Sequence, residues 1–175
     1  MNKLKNDFDL YIKKAKRSDA RQIIEYLNMV GGESDNLLFG LNGFHMSVEQ
    51  EEIFIDNLSN SKTSALFVGK ISEEIVCIGS ILAPQKTRIA HQADLAVSVK
   101  KKYWNIGIGS ALIIKMINFA KENGQTEILH LGVKSDNINA IKLYQKMGFV
   151  EIGKHNKFFK INNKFFDEIL MDLYL

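Results

Sequence analysis

The chain has 175 residues, of which 46% are hydrophobic and 25% charged, a balance that fits one globular domain and excludes an intrinsically disordered protein. Its net charge of +3 comes from 23 basic and 20 acidic residues spread along the sequence, which does not favour a nucleic-acid-binding protein. The single cysteine excludes an intrachain disulfide, residues 1–7 lack the apolar core of a signal peptide, and no apolar run approaches the roughly 20 residues that span a bilayer. We therefore expect a single domain over residues 1–175, with its core at about 10–173, in the cytoplasm and without a nucleic-acid or membrane partner.

The first third of the chain predicts one strand and two helices. Residues 10–15 are a candidate strand, and Ser18 is a candidate N-cap for a helix with apolar residues at helical spacing, which Gly31 and Gly32 end. A polar loop over residues 33–36 follows and leads on towards Phe44. Ser47 and Gln50 then form a capping-box pattern, which predicts a second helix from there to about residue 58.

The rest of the chain predicts a strand-rich block and then alternating strands and helices. Candidate strands cover residues 65–69, 75–82 and 90–99, and a long helix covers 107–123. A strand over 128–133, a helix over 137–147 and two strands near 149–152 and 168–173 complete the chain. Antiparallel pairs thus come first and a β-α-β-α-β run comes last, which predicts a mixed α/β sheet with helices on both faces.

The segment between the strand over 90–99 and the long helix has the residues of an anion-binding turn. It reads N-I-G-I-G-S over residues 105–110 and follows three lysines at 100–102, whose positive charge would add to the attraction of a phosphate. Glycines let the backbone approach a phosphate closely, and the first turn of a helix offers unpaired N–H groups and the positive end of the helix dipole. The segment lacks the lysine of a P-loop and the third glycine of a dinucleotide fingerprint. On these residues alone, a simple tight turn explains the glycines equally well.

A second motif makes the interpretation more specific. Residues 137–149 read N-I-N-A-I-K-L-Y-Q-K-M-G-F, which resembles the N-x-x-A-x-x-x-Y-x-K-x-G-F pattern of the GNAT N-acetyltransferases. The glycine turn resembles the Q/R-x-x-G-x-G/A motif of the same family, except that Trp104 stands where glutamine or arginine is common. The resemblance covers about residues 10–173. It implies the GNAT fold, a mixed and mostly antiparallel sheet splayed at its central strand, and acetyl-CoA as the co-substrate.

The resemblance also implies roles for the motif residues. The strand with Leu95, Val97 and Val99 would pair with the pantetheine arm through its main chain, and the N–H near Val97 would polarise the thioester carbonyl. The turn formed by Asn105, Ile106, Gly107, Ile108, Gly109 and Ser110 would wrap the pyrophosphate. Asn137 would hydrogen-bond the pantetheine, and Tyr144 would protonate the departing thiolate. Both residues also fit structural roles, Asn137 as a helix N-cap and Tyr144 as a core aromatic.

The attacking amine needs to lose a proton, because an alkyl amine with a pKa near 10.4 is mostly protonated at neutral pH. The candidate bases are Glu33 and Asp35 in the first loop and His91 and Asp94 on the central strand, of which Glu33 and Asp94 are preferred. Strand alternation places Asp94 on the face opposite the neighbouring apolar residues. Cys77 lies in an apolar strand and is expected to be inert, which favours direct attack without an acyl-enzyme.

The acceptor is the part of the function that the sequence determines least. Acidic residues are concentrated in the first loop and second helix: Glu33, Asp35, Glu49, Glu51, Glu52 and Asp56. They would favour a cationic acceptor, although they also fit an ordinary charged helix surface. We expect a primary amine of a small molecule or a peptide. The alternatives are a ribosomal-protein-type N-terminal acetyltransferase and a non-catalytic acyl-CoA-binding module.

The histidines show no metal-ligand spacing, so we expect no metal, and His130 is expected to be a hydrogen-bonded core residue. The resemblance to the GNAT family also suggests a homodimer, which sedimentation would test.

Overall fold

The protein is described here by a computed structural model, which covers the backbone of residues 2–3 and all atoms of residues 9–175. Within these residues, eight strands form one sheet in the order β1-β2-β3-β4-β5-β6-β8-β7. The strands are β1 Asn2–Lys3, β2 Asp9–Lys14, β3 Ala65–Ile71, β4 Glu74–Leu82, β5 Gln92–Val99, β6 Ile128–Lys134, β7 Val150–Ile161 and β8 Lys164–Tyr174. The α-helices are α1 Ala20–Val30, α2 Val48–Ser59, α3 Ile108–Glu122 and α4 Ile138–Lys146. The mixed α/β class is confirmed, and so is the predicted order of strands and α-helices from β2 onward, whereas β1 was not predicted.

Helices cover both faces of the sheet because side chains alternate along each strand. In β3, Phe67 belongs to the apolar cluster under α3, whereas Leu66 and Val68 belong to the cluster under α1 and α2. Helix α3 buries Leu112 and Met116 completely in the first cluster. Each such side chain contributes about 1.5–3 kcal/mol through burial, so the sheet is held from both sides.

The two predicted helix starts in the first third of the chain have different outcomes. The capping box at α2 is confirmed, since Ser47 Oγ accepts a hydrogen bond from the Gln50 N–H at 3.2 Å and Gln50 Oε1 accepts one from the Ser47 N–H at 2.8 Å. The prediction of Ser18 as the N-cap of α1 is wrong. A 3-10 turn, Arg17–Asp19, precedes α1, and Asp19 occupies the cap position. No helix in the described part of the chain combines the length and apolar character that crossing a bilayer requires.

The centre of the sheet opens between β5 and β6. These two strands pair in parallel over only three positions, the last of which joins Asp94 to His130. Beyond that point β5 continues to pair with β4 through Val99, and β6 continues to pair with β8 through Lys134. The two halves of the sheet therefore diverge, and the splay expected from the GNAT resemblance is present.

Candidate active site

The gap between β5 and β6 opens into a cavity of about 980 Å³. Eleven of the predicted site residues line it: Asp94, Leu95, Val97, Val99, Asn105, Gly107, Ile108, Gly109, Ser110, Asn137 and Tyr144. Glu33 and Ile106 are outside its lining. On one face of the sheet the cavity reaches α3 and α4, and on the other it reaches the loop after α1 through Ser34, Asn36, Leu37 and Leu38. A ligand entering from one face can therefore meet a ligand entering from the other.

The turn before α3 has the backbone geometry of an anion site. Asn105 and Gly107 both have positive φ angles, of 62° and 102°, and Gly107 is the N-cap of α3 without any side-chain capping hydrogen bond. The N–H groups of the first turn of α3 consequently have no side chain to satisfy them. They border the cavity through Ile108, Gly109 and Ser110. This arrangement fits the pyrophosphate of a coenzyme A thioester, which would bind to the N–H groups and the positive end of the helix dipole.

The lysines before this turn have a different role from the one the sequence suggested. Lys100 Nζ and Lys102 Nζ form ion pairs with the two carboxylate oxygens of Glu74, at 2.7 and 2.9 Å. The Tyr103 hydroxyl donates to the same carboxylate at 2.9 Å. Lys100, with the other two donors, holds the pKa of Glu74 at about 2, below its ordinary value of 4.5. Two of the three lysines thus anchor the segment to β4 instead of adding free charge for a phosphate.

The main chain of β5 presents polar groups to the gap. The Lys100 N–H donates to the Val76 carbonyl on β4 at 2.9 Å, so the main-chain groups of alternate residues, Leu95, Val97 and Val99, point away from β4. The Val97 N–H is therefore directed to the opening, as the proposed contact with a thioester requires. At Val99 the carbonyl already accepts a hydrogen bond from the indole N–H of Trp104 at 2.7 Å. The tryptophan that departs from the family motif thus binds the end of β5.

Tyr144 and Asn137 lie on the α3–α4 face of the cavity. Tyr144 is 7% exposed, and its ring packs edge-on against Phe149 at 5.7 Å, so the structural role proposed for it is present. Burial raises the pKa of its hydroxyl to about 12, and this hydroxyl has no hydrogen-bond partner among the described residues. Asn137 Oδ1 accepts the Ala140 N–H at 3.3 Å and caps α4, which leaves the side-chain NH₂ of Asn137 available as a donor.

The sequence-predicted bases occupy different environments. Glu33 is not supported as a base, because its carboxylate accepts the Lys101 N–H at 2.7 Å and lies outside the cavity lining. Asp35 and His91 are also outside that lining. Asp94 does line the cavity. No register shift occurs between β4 and β5, so Asp94 stays on the face toward α1 and α2, as the strand alternation predicts.

The acidic cluster on α2 does not contribute to the cavity either. Arg17 pairs with Glu52 at 2.6 Å and with Asp56 at 2.5 Å on the surface, and Glu51 is buried at 2% exposure. None of the three lines the cavity. The argument for a cationic acceptor from this cluster is therefore not supported by the structure.

Three polar residues that the sequence did not indicate as functional line the same face as Asp94: His130, Asp172 and Glu168. His130 Nδ1 contacts Asp172 Oδ1, and its Nε2 lies 3.1 Å from Gln92 Oε1. His130 is hydrogen-bonded, as expected, but the expectation that it is a core residue is wrong, because its side chain is 29% exposed and borders the cavity. Burial raises the pKa of Glu168 above its ordinary value. Strand pairing between β6 and β8 brings these residues together over about 40 positions of sequence, so no local pattern could have indicated them.

Comparisons with known proteins agree with this geometry. A family model described as an acetyltransferase (GNAT) domain matches residues 12–170. The L-amino acid N-acetyltransferase AaaT of Escherichia coli K12 is 32% identical over 104 residues, which are 59% of this chain and 64% of that relative, so the match spans less than two thirds of the relative's length. The crystal structure of a GNAT-family acetyltransferase from Streptococcus pneumoniae superposes with a TM-score of 0.93 at 33% identity, covering 95% of this chain and all of that one. A YncA structure from Salmonella typhimurium with acetyl-CoA has the same fold, with a TM-score of 0.82 at 17% identity over 95% of this chain and 94% of that one.

The chain therefore belongs to the GNAT acetyltransferase family. It is an acetyl-transferring enzyme, and acetyl-CoA is the donor that this family uses.

Proposed function

We propose that this protein transfers the acetyl group of acetyl-CoA to the primary amine of a small molecule or peptide by direct attack. The observation that carries the proposal is the position of Tyr144, a residue only 7% exposed that lines the cavity, which continues to the N-terminus of α3. A donor bound with its pyrophosphate at Gly107 to Ser110 would extend along β5 toward the centre of the gap. The acceptor would then approach from the opposite face.

Tyr144 is the proposed general acid. A thiolate that leaves the acetyl group needs a proton, and the raised pKa of about 12 keeps the Tyr144 hydroxyl protonated at neutral and moderately alkaline pH. The Val97 N–H is the proposed donor to the carbonyl oxygen that becomes negative during attack. Asn137 would orient the pantetheine through its free NH₂ group.

Direct attack is favoured over an acyl-enzyme because Cys77 is poorly placed to act as a nucleophile. It is fully buried and lies outside the cavity lining. Burial raises the pKa of its thiol to about 12, so the reactive thiolate is scarce at neutral pH. The acetyl group therefore passes to the amine in one transfer, as the amine nitrogen forms its bond to the carbonyl carbon and the carbon–sulfur bond breaks.

The carboxylates on the acceptor face favour an amine that arrives as a cation. Asp94, Glu168 and Asp172 line that face, whereas the lining lysine, Lys146, belongs to α4 on the other side. An ammonium group on the acceptor is attracted to such a surface, whereas a carboxylate that the acceptor carries next to its amine is not attracted. The relative named as an L-amino acid N-acetyltransferase acts on substrates that carry both groups, so an amino acid is a necessary member of any test.

The test measures free thiol released from acetyl-CoA in the presence of putrescine, kanamycin, L-methionine or a short peptide with N-terminal alanine. Saturable release with at least one of these amines, together with a product whose mass increases by one acetyl group, would support the proposal. The variant Cys77→Ala should retain the activity. Saturable acetyl-CoA binding without thiol release on any of these amines would contradict it.

A further inference from the structure

The Glu168 side chain occupies space in the cavity that is available because the neighbouring strand β6 has a glycine at this point. Lys134 is its direct partner across β6 and β8, and Gly132 lies two residues earlier on the same face of β6. A Cβ built on Gly132 would overlap Oε1 of Glu168. The glycine therefore leaves the space in which this carboxylate lies against the backbone of β6, inside the cavity lining.

The height of this carboxylate along the gap matches that of the proposed thioester site. The last parallel pair joins Asp94 to His130, so Gly132, two residues farther along β6, is level with Ala96 on β5 and adjacent in height to Val97. Glu168 and Leu170 share the face of the sheet that holds Asp94, because each pairs directly with a β6 residue of that face. Glu168 thus lies on the acceptor side of the gap, beside the point where the Val97 N–H faces it.

The carboxylate of Glu168 has no strong partner among the described residues. Lys134, its cross-strand neighbour, is bound to both oxygens of Asp136 at 2.6 Å and lies over the Phe166 ring at 3.7 Å. His155 Nδ1 on β7 is 4.0 Å from Glu168 Oε2, and the side chain of His155 is 60% exposed. The Glu168 side chain is 13% exposed, and its burial accounts for a pKa above the ordinary 4.5. A partly buried carboxylate without a close hydrogen-bond donor is suited to receive one from a ligand.

The other titratable groups on this face are less suited to that task. Both ring nitrogens of His130 already have oxygen partners within the protein, on Asp172 and Gln92, so the ring is held away from a ligand. Asp172 is 5% exposed and is engaged by that histidine. Asp94 lies at the closed end of the gap, where the two strands still pair. Glu168 is the carboxylate that is both available and level with the reacting groups.

We propose that Glu168 is the catalytic residue that receives the acceptor ammonium and removes its proton. This inference rests on the proposed function. Glu168 accepts one proton from the ammonium and passes it to solvent, which frees the nitrogen lone pair. That lone pair forms the N–C bond, and the C–S bond electrons leave with the sulfur. Glu168 then accepts the second proton from the nitrogen and passes it to solvent. Tyr144 protonates the thiolate, and its hydroxyl regains a proton from solvent. One proton is released overall and one ends on the thiol.

The test compares Glu168→Gln with Glu151→Gln, a matched change at an exposed β7 position outside the cavity lining. For each protein, kcat/KM is measured from pH 6 to pH 10 with the panel amine on which the wild type is most active, and acetyl-CoA affinity is measured by calorimetry. Glu168→Gln should lower kcat/KM at pH 7 by about 100-fold or more, the usual size of a general-base effect. With an alkyl amine the deficit should shrink to below about tenfold at pH 10, because the free amine is then abundant. Acetyl-CoA affinity and Glu151→Gln activity should stay at wild-type values.

A second variant tests the same position without removing the charge. Gly132→Ala would displace the carboxylate, so it should also lower kcat/KM at pH 7, and adding it to Glu168→Gln should cause little further loss. Wild-type kcat/KM in Glu168→Gln, or a deficit of equal size at every pH, would overturn the assignment while leaving the acetyltransferase activity intact. A wild-type protein that releases no thiol on any panel amine would instead contradict the proposed function itself.

Discussion

The glycine turn before α3 allows a quantitative test of the donor site. Gly107 has φ 102°, a conformation in which an L-residue is strained by about 1–2 kcal/mol. In Gly107→Ala the free turn is expected to relax from this conformation, so that acetyl-CoA binding must restore the strained turn that directs the N–H groups of α3 into the cavity. Because 1.4 kcal/mol corresponds to a tenfold change in affinity, we expect the Kd for acetyl-CoA to rise about 5- to 30-fold.

The matched control is Gly109→Ala, two residues later in the same turn. Gly109 lies within α3 and has no positive φ. A Cβ there would be 3.1 Å from Leu143 Cδ2, the flexible end of a side chain. A small rotamer adjustment costs on the order of 0.5 kcal/mol, so the Kd should rise less than about threefold. Calorimetric titration with acetyl-CoA measures both variants. Equal losses in affinity, or a larger loss for Gly109→Ala, would refute the reasoning from backbone conformation.

Three further predictions concern Tyr144 and Trp104, which line the same cavity, and Glu74, which anchors the segment before α3. Tyr144→Phe should lower kcat by about 100-fold with less than a threefold change in acetyl-CoA Kd. Since the Tyr144 pKa is about 12, the wild-type kcat should show no alkaline decline assignable to this group below about pH 11. Stopped-time thiol assays over pH 6–11 would check both the loss in kcat and the pH profile. Glu74→Gln should lower the free energy of unfolding by about 1 kcal/mol at pH 7, a value reduced for the 38% exposure of the carboxylate. Because the folded-state pKa of Glu74 is depressed to about 2, this contribution to stability is present above pH 4.5 and is lost as the pH falls toward 2. Urea denaturation curves of variant and wild type should therefore converge near pH 2. Trp104→Phe removes the donor to the Val99 carbonyl and should weaken acetyl-CoA binding about fivefold, the effect of one hydrogen bond of about 1 kcal/mol. Unchanged affinity in a calorimetric titration with acetyl-CoA would mean that this bond does not support the donor site.

The sequence by itself predicted the element order from β2 onward and the residues proposed to bind the donor. Helix α3 and the turn before it were predicted within a residue or two, because glycine placement and apolar periodicity are local signals that survive without tertiary information. The motif over residues 137–149 likewise located Asn137 and Tyr144, both of which line the cavity. These groups lie near one another in sequence or act through the backbone, so a pattern of residue types was enough to find them.

The tertiary structure alone decided the roles of the charged residues. Glu33 and Lys101 meet across 68 positions, and Glu74 binds the two lysines that the sequence assigned to a phosphate. The acceptor face is assembled from β5, β6 and β8, where the pairing of Gly132 with Leu170 and the space left by the glycine place Glu168 in the cavity. Charged side chains carry no periodic signal, and their partners depend on strand register and on which strands separate. For that physical reason the residues of the proposed donor site could be named from the sequence, whereas the candidate base required the fold.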